Sequence, residues 1–267
     1  MNRIASPSND TGSIAILEDR HDQILKLLGV QGSVKVSELS RIFAVSEVTI
    51  RTDLERLARQ GLLVRYRGGA VARVETSLST AFAERARHRQ AEKERIAKKA
   101  TEWVRPGDAI FLDAGSTVLE FAKRLEGCTP LTVVTTAVNT AALLSGFAGI
   151  HVIMAGGSLT PETISTVGQI AERDISDLLG DKVFLGVSSF SPEFGIVDVS
   201  IEVARVKNAM IQASRQVIVL ADSSKFQNRS LAKVAPMSAV HTLITDTDLS
   251  DAAADSIRAL GVEVIRV

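Results

Sequence analysis

From residue 109 to the carboxyl terminus seven short apolar runs recur: "AIFLD", "LTVVT", "HVIMAGG", "KVFLGV", "QVIVLAD", "HTLITD" and "VEVIRV". Helical patterning fills many of the intervals, at 116–126, in "AVNTAALLSG", between 168 and 179, and in "SIEVARVKNAMIQAS". Strands that are apolar almost throughout have both faces buried, and strands alternating with helices predict a mostly parallel sheet covered on both sides. In such a sheet ligands bind outside the carboxyl ends of the strands. The same pattern argues against a membrane span. Residues 127–161 carry no Lys, Arg, Asp or Glu, but Asn139, Ser145, His151 and several threonines interrupt them every few residues, as in buried strands and a helix.

The chain ahead of residue 109 is built differently. Residues 1–15 read as a loose tail. From Asp19 onward Ile24, Leu27 and Leu28 lie on one helical face, and "GVQGSV" interrupts it with two glycines. "SELSRIF" places Leu39 and Ile42 on a second short helix with Ser37 as its start signal. After the tight "AVS" connection, Ser46 is suited to cap a third helix. There Ile50, Leu54 and Leu57 share a face, and Gly61 marks the end. "LLVRYRGGAV" then alternates apolar and basic residues around a Gly-Gly bend, which predicts a two-stranded ribbon. Three short helices, a tight turn and a ribbon make a winged helix-turn-helix over residues 17–72. If the third helix buries Ile50, Leu54 and Leu57, its outer face carries Glu47, Thr49, Arg51, Thr52 and Arg56. With Ser46 at its start, that face is suited to the major groove, where Arg pairs bidentately with guanine and a Thr methyl packs on thymine. Arg65 and Arg67 on the ribbon are placed for phosphates or the minor groove.

Charge separates the two parts. The chain is neutral overall, yet residues 1–99 hold 18 Lys and Arg against 12 Asp and Glu, whereas residues 100–267 hold 13 against 19. A basic front end fits an anionic partner, double-stranded DNA; a small helical bundle with a solvated basic face is the plainer alternative. Residues 73–95 are expected to be a linker, and 96–267 an α/β domain. The single cysteine, Cys128, excludes an internal disulfide framework, and "MNRIASPSNDTGS" has no apolar run of the signal-peptide kind, so a cytoplasmic location is expected.

The loops after the strands carry the candidate chemistry. Asp113, Gly115, Ser116 and Thr117 follow the first strand and open a helix. Thr135 and Thr136 follow the second, Gly156 and Gly157 the third, and Asp222 with Lys225 follows "VIVLA". Small residues let a backbone approach a ligand, and amides, hydroxyls and a lysine suit a phosphate, with Asp113 or Asp222 left for hydroxyl groups. A phosphorylated sugar or polyol fits this set. Isomerisation of such a substrate needs a carboxylate base, and Ser188, Ser189 and Ser191 stand where one would be useful. His21, His88, His151 and His241 show neither metal-ligand nor triad spacing, so no metal, cofactor or catalytic residue is expected.

These residues resemble the DeoR-type bacterial repressors. The signature is carried by Val45, Ser46, Thr49, Ile50, Arg51, Asp53, Leu54, Leu57, Gly61, Gly68, Gly69 and Ala70, and "EVARVKNAM", "ADSSKF" and "LITD" extend the resemblance through the rear. The "QGSV" start and "RYRGGA" wing are most similar to repressors of N-acetylgalactosamine use. The resemblance implies a sensor domain similar in fold to ribose-phosphate isomerases. It also implies a homo-oligomeric repressor of a sugar or amino-sugar catabolic operon, relieved by a phosphorylated sugar. Ser46, Thr49 and Arg51 would contact the operator, and Gly115, Ser116, Thr117 and Lys225 would hold the phosphate. Four departures stand out: Thr52 where the family has a second Arg, Arg67 for His, Thr136 for Asn, and "SSFS" at 188–191 for "DGID". The first two imply an altered operator preference, the last two altered ligand contacts. An alternative from another class is a sugar-phosphate isomerase fused to a DNA-binding module.

Overall fold

The computed structural model describes residues 20–28, 33–59, 62–66, 68–72, 77–228 and 230–267. They form two compact units, Met1–Glu75 and Thr76–Val267.

In the first unit residues 20–28 form α1. There follow β1 (Ser33–Lys35), α2 (Val36–Phe43), α3 (Glu47–Arg59), β2 (Leu63–Tyr66) and β3 (Gly69–Ala72). Ile24 and Leu28 of α1 pack with Leu39 of α2 and with Ile50, Leu54 and Leu57 of α3. Ile42 departs from expectation and is 58% exposed. Val36, Leu39 and Phe43, at spacings of three and four, are the stripe that α2 turns inward, and Ile42 falls off it. Nor does Ser37 cap α2, which already begins at Val36. Ala44, at φ +51°, makes the tight turn into α3. Ser46 Oγ then accepts the Thr49 amide at 3.1 Å, satisfying one open donor of the helix.

The wing has three strands rather than two. β3 pairs antiparallel with both β1 and β2. "SVK", which reads as part of a glycine-broken loop, becomes a strand because β3 offers it an edge. Gly69 is obligatory there, since a Cβ would lie 2.2 Å from the Val34 carbonyl oxygen. Gly61 and Arg67 lie outside the described residues.

One ionic cluster pins this unit. Asp53 is 4% exposed. It accepts from Arg20 Nε at 2.7 Å and Nη2 at 3.1 Å, and it lies 3.1 Å from His21 Nε2, tying α1 to α3.

The second unit opens with α4 (Ser77–Arg87) and α5 (Gln90–Ala100). Much of the stretch expected as a linker is therefore helical and packs within this unit. The chain breaks between the two helices at Arg89, at φ +52°. There follow β4 (Ala109–Leu112), α6 (Ser116–Ala122), β5 (Leu131–Thr135), α7 (Val138–Leu144), β6 (Ile150–Met154), β7 (Ser158–Thr160), β8 (Ser165–Val167) and α8 (Gln169–Ser176). Next come β9 (Gly180–Leu185), β10 (Ser189–Ser191), β11 (Gly195–Asp198), α9 (Ile201–Gln212), β12 (Ser214–Leu220), β13 (Ala232–Ala235), β14 (Thr242–Thr245), α10 (Asp251–Arg258) and β15 (Glu263–Arg266). The main sheet has seven parallel strands in the order β15-β14-β12-β9-β4-β5-β6.

Strand side chains alternate between faces, and the strands feed two cores. Ile110, Leu112, Phe184, Ile218, Leu220 and Ile244 pack under α5, α6 and α7. Phe111, Val183, Leu185, Val217, Val219 and Leu243 pack under α8, α9 and α10. That is why the strands read as unbroken apolar runs. Residues 127–161 divide among β5, α7, β6 and β7. Among the described residues, no helix is long and apolar enough to cross a membrane.

Replacing Asp53 with Ala strands Arg20 and His21 beside an empty buried position. Removing one partner of a buried pair costs about 3 kcal/mol. Hydrogen exchange on the intact chain should then show the α3 amides opening roughly 100-fold faster, with the sheet amides of the second unit unchanged.

Candidate functional site

In the first unit, Glu47, Arg51, Thr52 and Arg56 are exposed on α3, and Thr49 is half-buried. Ser46 caps the helix and its hydroxyl lies 2.9 Å from that of Thr49. Arg51 pairs with Glu47 at 2.6 Å on the open surface. An exposed pair one helical turn apart is worth only about 0.3–0.5 kcal/mol, so the guanidinium exchanges readily for a stronger acceptor. Thr52 spends its hydroxyl proton on the Val48 carbonyl at 3.1 Å, leaving its methyl and lone pairs outward. Arg65 of β2 approaches Glu55 of α3 at 3.5 Å, which ties wing to helix.

The second site follows from strand order. From β4 the sheet grows one way through β5 and β6 and the other way through β9, β12, β14 and β15. The crossovers leave on opposite sides, so the β4–β9 boundary is the switch point, where a crevice opens beyond the strand ends. A cavity of about 660 Å³ lies there. Its walls include Gly115, Ser116 and Thr117 after β4, Gly186 and Ser188 after β9, Asp198 of β11, Lys207 of α9, and Lys225 after β12. Glu84 and Arg85 of α4, Lys93 of α5, and Glu162 and Thr163 of the β7–β8 turn also line it.

Lys207 joins the floor together. It is 3% exposed. Its ammonium lies 3.0 Å from Asp113 Oδ2 and 2.6 Å from Asp198 Oδ2, and donates to the Gly186 carbonyl at 2.6 Å. Those three acceptors occupy its three N–H donors. Burial opposes its charge, but Asp113 and Asp198 outweigh burial and hold the ammonium well above its ordinary pKa. Asp198 is likewise penalised by burial, yet Lys207, the Val199 amide and Ser188 bring its carboxyl below the usual range. Asp113 is pushed up by burial against the pull of Lys207.

The upper wall is basic. Burial lowers Arg85 against the opposing pull of Asp198 and Glu162. Burial also lowers Lys93, with Lys225 and Arg85 adding like-charge repulsion and Asp222 and Glu92 opposing it. Lys93 is only 4% exposed and donates to the carbonyls of Arg85 and His88 at the end of α4. The corner between α4 and α5 is moored by Arg89, which meets Asp246 and Glu92 at 3.3 Å, Asp222 at 3.8 Å, and Asp248.

Of the ligand residues expected from sequence, the structure gathers Gly115, Ser116, Thr117 and Lys225 around the cavity. The others are placed differently. Asp113 and Asp222 are 2% and 1% exposed and are not free for a ligand's hydroxyls. Asp113 is held by Lys207 and by the Gly186 amide at 3.0 Å. Asp222 caps the short turn Ser223–Lys225 through the Ser224 amide at 3.2 Å. Thr135 is fully buried, donating to the Leu112 carbonyl at 2.7 Å and accepting the Ala137 amide at 3.0 Å. Thr136 is buried, and its carbonyl accepts the Thr166 amide at 3.0 Å. Gly156 donates to Asp174 at 3.0 Å, and Gly157, at φ +132°, shapes the turn into β7. None of these four lines the cavity. α6 is also shorter than expected, ending at Ala122, so its dipole is weak.

Sequence reasoning missed Lys207, Asp198, Arg85 and Lys93. Lys207 had a signal. It lies among Val203, Ala204, Val206, Met210 and Ile211, the buried side of α9, where a lysine requires an acidic partner. The pairing with Asp113 and Asp198 depends on tertiary folding and has no local trace.

Comparison with known proteins gives consistent results. Residues 20–76 match the DeoR-like helix-turn-helix domain, and residues 88–247 match the DeoR C-terminal sensor domain. The chain is 34% identical over 251 residues to a putative aga operon transcriptional repressor of Escherichia coli O157:H7, covering 93% of each. It is 34% identical over 227 residues to the glycerol-3-phosphate regulon repressor of Escherichia coli K12, covering 85% of this chain and 90% of that one. Among solved structures, ribose 5-phosphate isomerase A of Methanocaldococcus jannaschii is similar over 51% of this chain and 54% of its own, with 17% identity and a TM-score of 0.39.

The Lys207 cluster makes a prediction with a defined sign. Lys207→Met leaves two buried carboxyls without their cation, which should cost about 3–5 kcal/mol. Burial then raises both carboxyls above their unfolded values. Stability therefore falls as pH climbs from the unfolded carboxylate range through those raised values. Thermal unfolding should show the deficit against wild type widening from about pH 5 to about pH 8.

Proposed function

Because the chain belongs to the DeoR family of transcriptional regulators, we propose that it represses a sugar or amino-sugar catabolic operon and that a phosphorylated sugar in the β4–β9 cavity releases it from DNA. The observation that carries the effector assignment is the basic upper wall, where Arg85, Lys93 and Lys225 face a cavity of sugar-phosphate size beside the hydroxyls of Ser116 and Thr117. Relatives named for the aga operon and the glycerol-3-phosphate regulon agree with a carbohydrate or polyol phosphate. On the DNA side Ser46, Glu47, Thr49, Arg51, Thr52, Arg56 and Arg65 form the contact face, and a homo-oligomer would present two such faces to paired half-sites.

The floor argues for sensing rather than turnover. Isomerisation needs a base with a free lone pair beside the substrate carbon. Asp198 spends Oδ1 on Ser188 at 3.1 Å and the Val199 amide at 2.7 Å, and Oδ2 on Lys207. Asp113 lies beneath the surface, and Lys207 has no donor to spare. These groups hold a shape and are poorly placed to pass protons.

A thermal-shift screen of sugar phosphates tests the effector reading directly, because a ligand at a hundredfold excess over its Kd stabilises the protein by about 2.7 kcal/mol. Lys225→Ala should leave operator affinity intact and abolish release by the effector, giving a repressor locked on its operator. A mutant that still responds at the wild-type effector concentration would remove Lys225 from the site.

Arg51→Ala should weaken operator binding by about 1–3 kcal/mol and relax preference at one base pair, as titrations against single-base operator variants would reveal. An equal loss on random DNA would reassign Arg51 to a phosphate.

A further inference from the structure

The helical arm that opens the sensor unit contributes two cations to the cavity, and neither follows a sheet strand. We propose that Arg85 and Lys93 are effector-binding residues, closing on the anionic group of the ligand beside Ser116 and Thr117, and that Arg85 is the contact through which occupancy is felt by α4. The inference rests on the effector reading and deepens it, assigning the anion to a phosphomonoester and half of its site to the arm.

Three independent features point to a doubly charged, oxygen-rich ligand. First, the basic groups are enclosed, Lys93 at 4% exposure and Arg85 half-buried, while Glu84 and Glu162 on the same cavity stand at exposed positions and the buried Asp198 is already committed to Lys207. Cations drawn together out of water need an anion to compensate them. The depressed pKa of each, caused first by burial, describes the same deficit. Second, the donors are underused. Lys93 gives two N–H groups to the carbonyls of Arg85 and His88, which fixes its ammonium at the cavity wall and leaves a third. Third, among the described residues Ser230 Oγ, which also lines the cavity, is buried with no hydrogen-bond partner. A phosphate dianion with three terminal oxygens can take a guanidinium, two ammonium groups and several hydroxyls at once. A single carboxylate offers fewer acceptor sites.

Arg85 also bridges two parts of the wall, α4 and the β7–β8 turn. Its Nη2 donates to the backbone carbonyl of Glu162 in the β7–β8 turn, and its guanidinium carbon lies 5.7 Å from the centre of the Phe82 ring one turn earlier on α4. Its own carbonyl is 3.4 Å from Ser116 Oγ. A neutral carbonyl is a weaker acceptor for Arg than a phosphate, so ligand binding draws the guanidinium from the turn toward the cavity. The chain enters the sensor unit through α4, which begins at Ser77, so a shift of Arg85 acts on the element nearest the DNA-binding unit in sequence.

The test uses the full chain with inorganic phosphate and glycerol 3-phosphate as probes, read by calorimetric titration, together with the best ligand of the sugar-phosphate screen. Arg85→Gln and Lys93→Gln should each weaken binding at least tenfold, Arg85→Lys should recover part of the loss, and operator affinity without ligand should stay at the wild-type value. Normal phosphate binding by both glutamine variants, alongside loss in Lys225→Ala, overturns the inference and leaves the effector reading standing. Failure of wild type to bind any phosphate ester overturns both. Should Arg85→Gln not fold, Lys93→Gln decides alone by the same tenfold criterion.

Discussion

The sensor unit depends on one ammonium group. Lys207 reaches from α9 to the end of β4 through Asp113, to the end of β9 through the Gly186 carbonyl, and to β11 through Asp198. Those are the elements that flank the switch point. Without that bond the crevice would have a floor of two buried carboxylates repelling each other at the centre of the sheet. With it, the carboxylates become hydrogen-bond anchors for the Gly186 amide, Ser188 and the Val199 amide, and the backbone around the cavity is held in place. A buried cluster of this kind adds little net stability, because desolvation offsets much of its attraction. Its contribution here is geometric, since it brings three chain segments to one point.

The two units differ in how much of each was written locally. The winged helix and the main sheet could be read from sequence because both follow short periods. α3 needs only Ile50, Leu54 and Leu57 at helical spacing, and each sheet strand needs only an apolar run. The small strands have no such period. β7 and β8 are three residues each, built from Ser, Thr, Leu and Val, and β10 is "SFS". They are strands because of what they pair with, β7 with β8 and β10 with β11 across short hairpins, and β11 pairs in turn with β13, where Ile196 opposes Ala235, nearly forty positions away. β1 is the same case, a tripeptide made regular by the returning edge of β3.

Part of the cavity lining was legible in the same way. Residues after strands are where an α/β sheet keeps its ligands, and that rule located Gly115, Ser116, Thr117 and Lys225 at the cavity. It also named loops that do not line the cavity, because strand order is not visible in the sequence. β5 is one strand removed from the switch point on the far side of β4, and β6 is two, roughly 5 and 10 Å at the spacing of neighbouring strands. Thr135, Thr136, Gly156 and Gly157 therefore serve turns and strand ends. Asp113 and Asp222 occupy the expected positions in the chain but turn inward, one to Lys207 and the other to the Ser224 amide. The cations of α4 and α5 escaped because "ERARHRQAEKER" reads as a solvated charged helix. Only the left-handed break at Arg89, held by acids from the ends of β12 and β14, folds that helix back so that Arg85 and Lys93 face the same space.

Under the proposed function, the division between a floor with no spare donors and a basic arm bears on how a ligand in the cavity would release DNA. A ligand shifts an equilibrium only by its difference in affinity for two states, and moving a population from 99:1 to 1:99 takes about 5.5 kcal/mol of such difference. The floor is poorly suited to supply it. Lys207 has no spare donor, Asp198 has both oxygens engaged, and shifting either would expose an unpaired buried charge. The arm can differ between states at lower cost. Arg85 is held by a carbonyl and an aromatic face, and its own carbonyl meets Ser116 Oγ at 3.4 Å, near the limit of a hydrogen bond. A charge-assisted bond to phosphate is roughly twice as strong as a neutral one. Two or three such bonds formed by the arm in one state and absent in the other reach the required magnitude, whereas contacts to the floor, equal in both states, would raise affinity without moving the equilibrium.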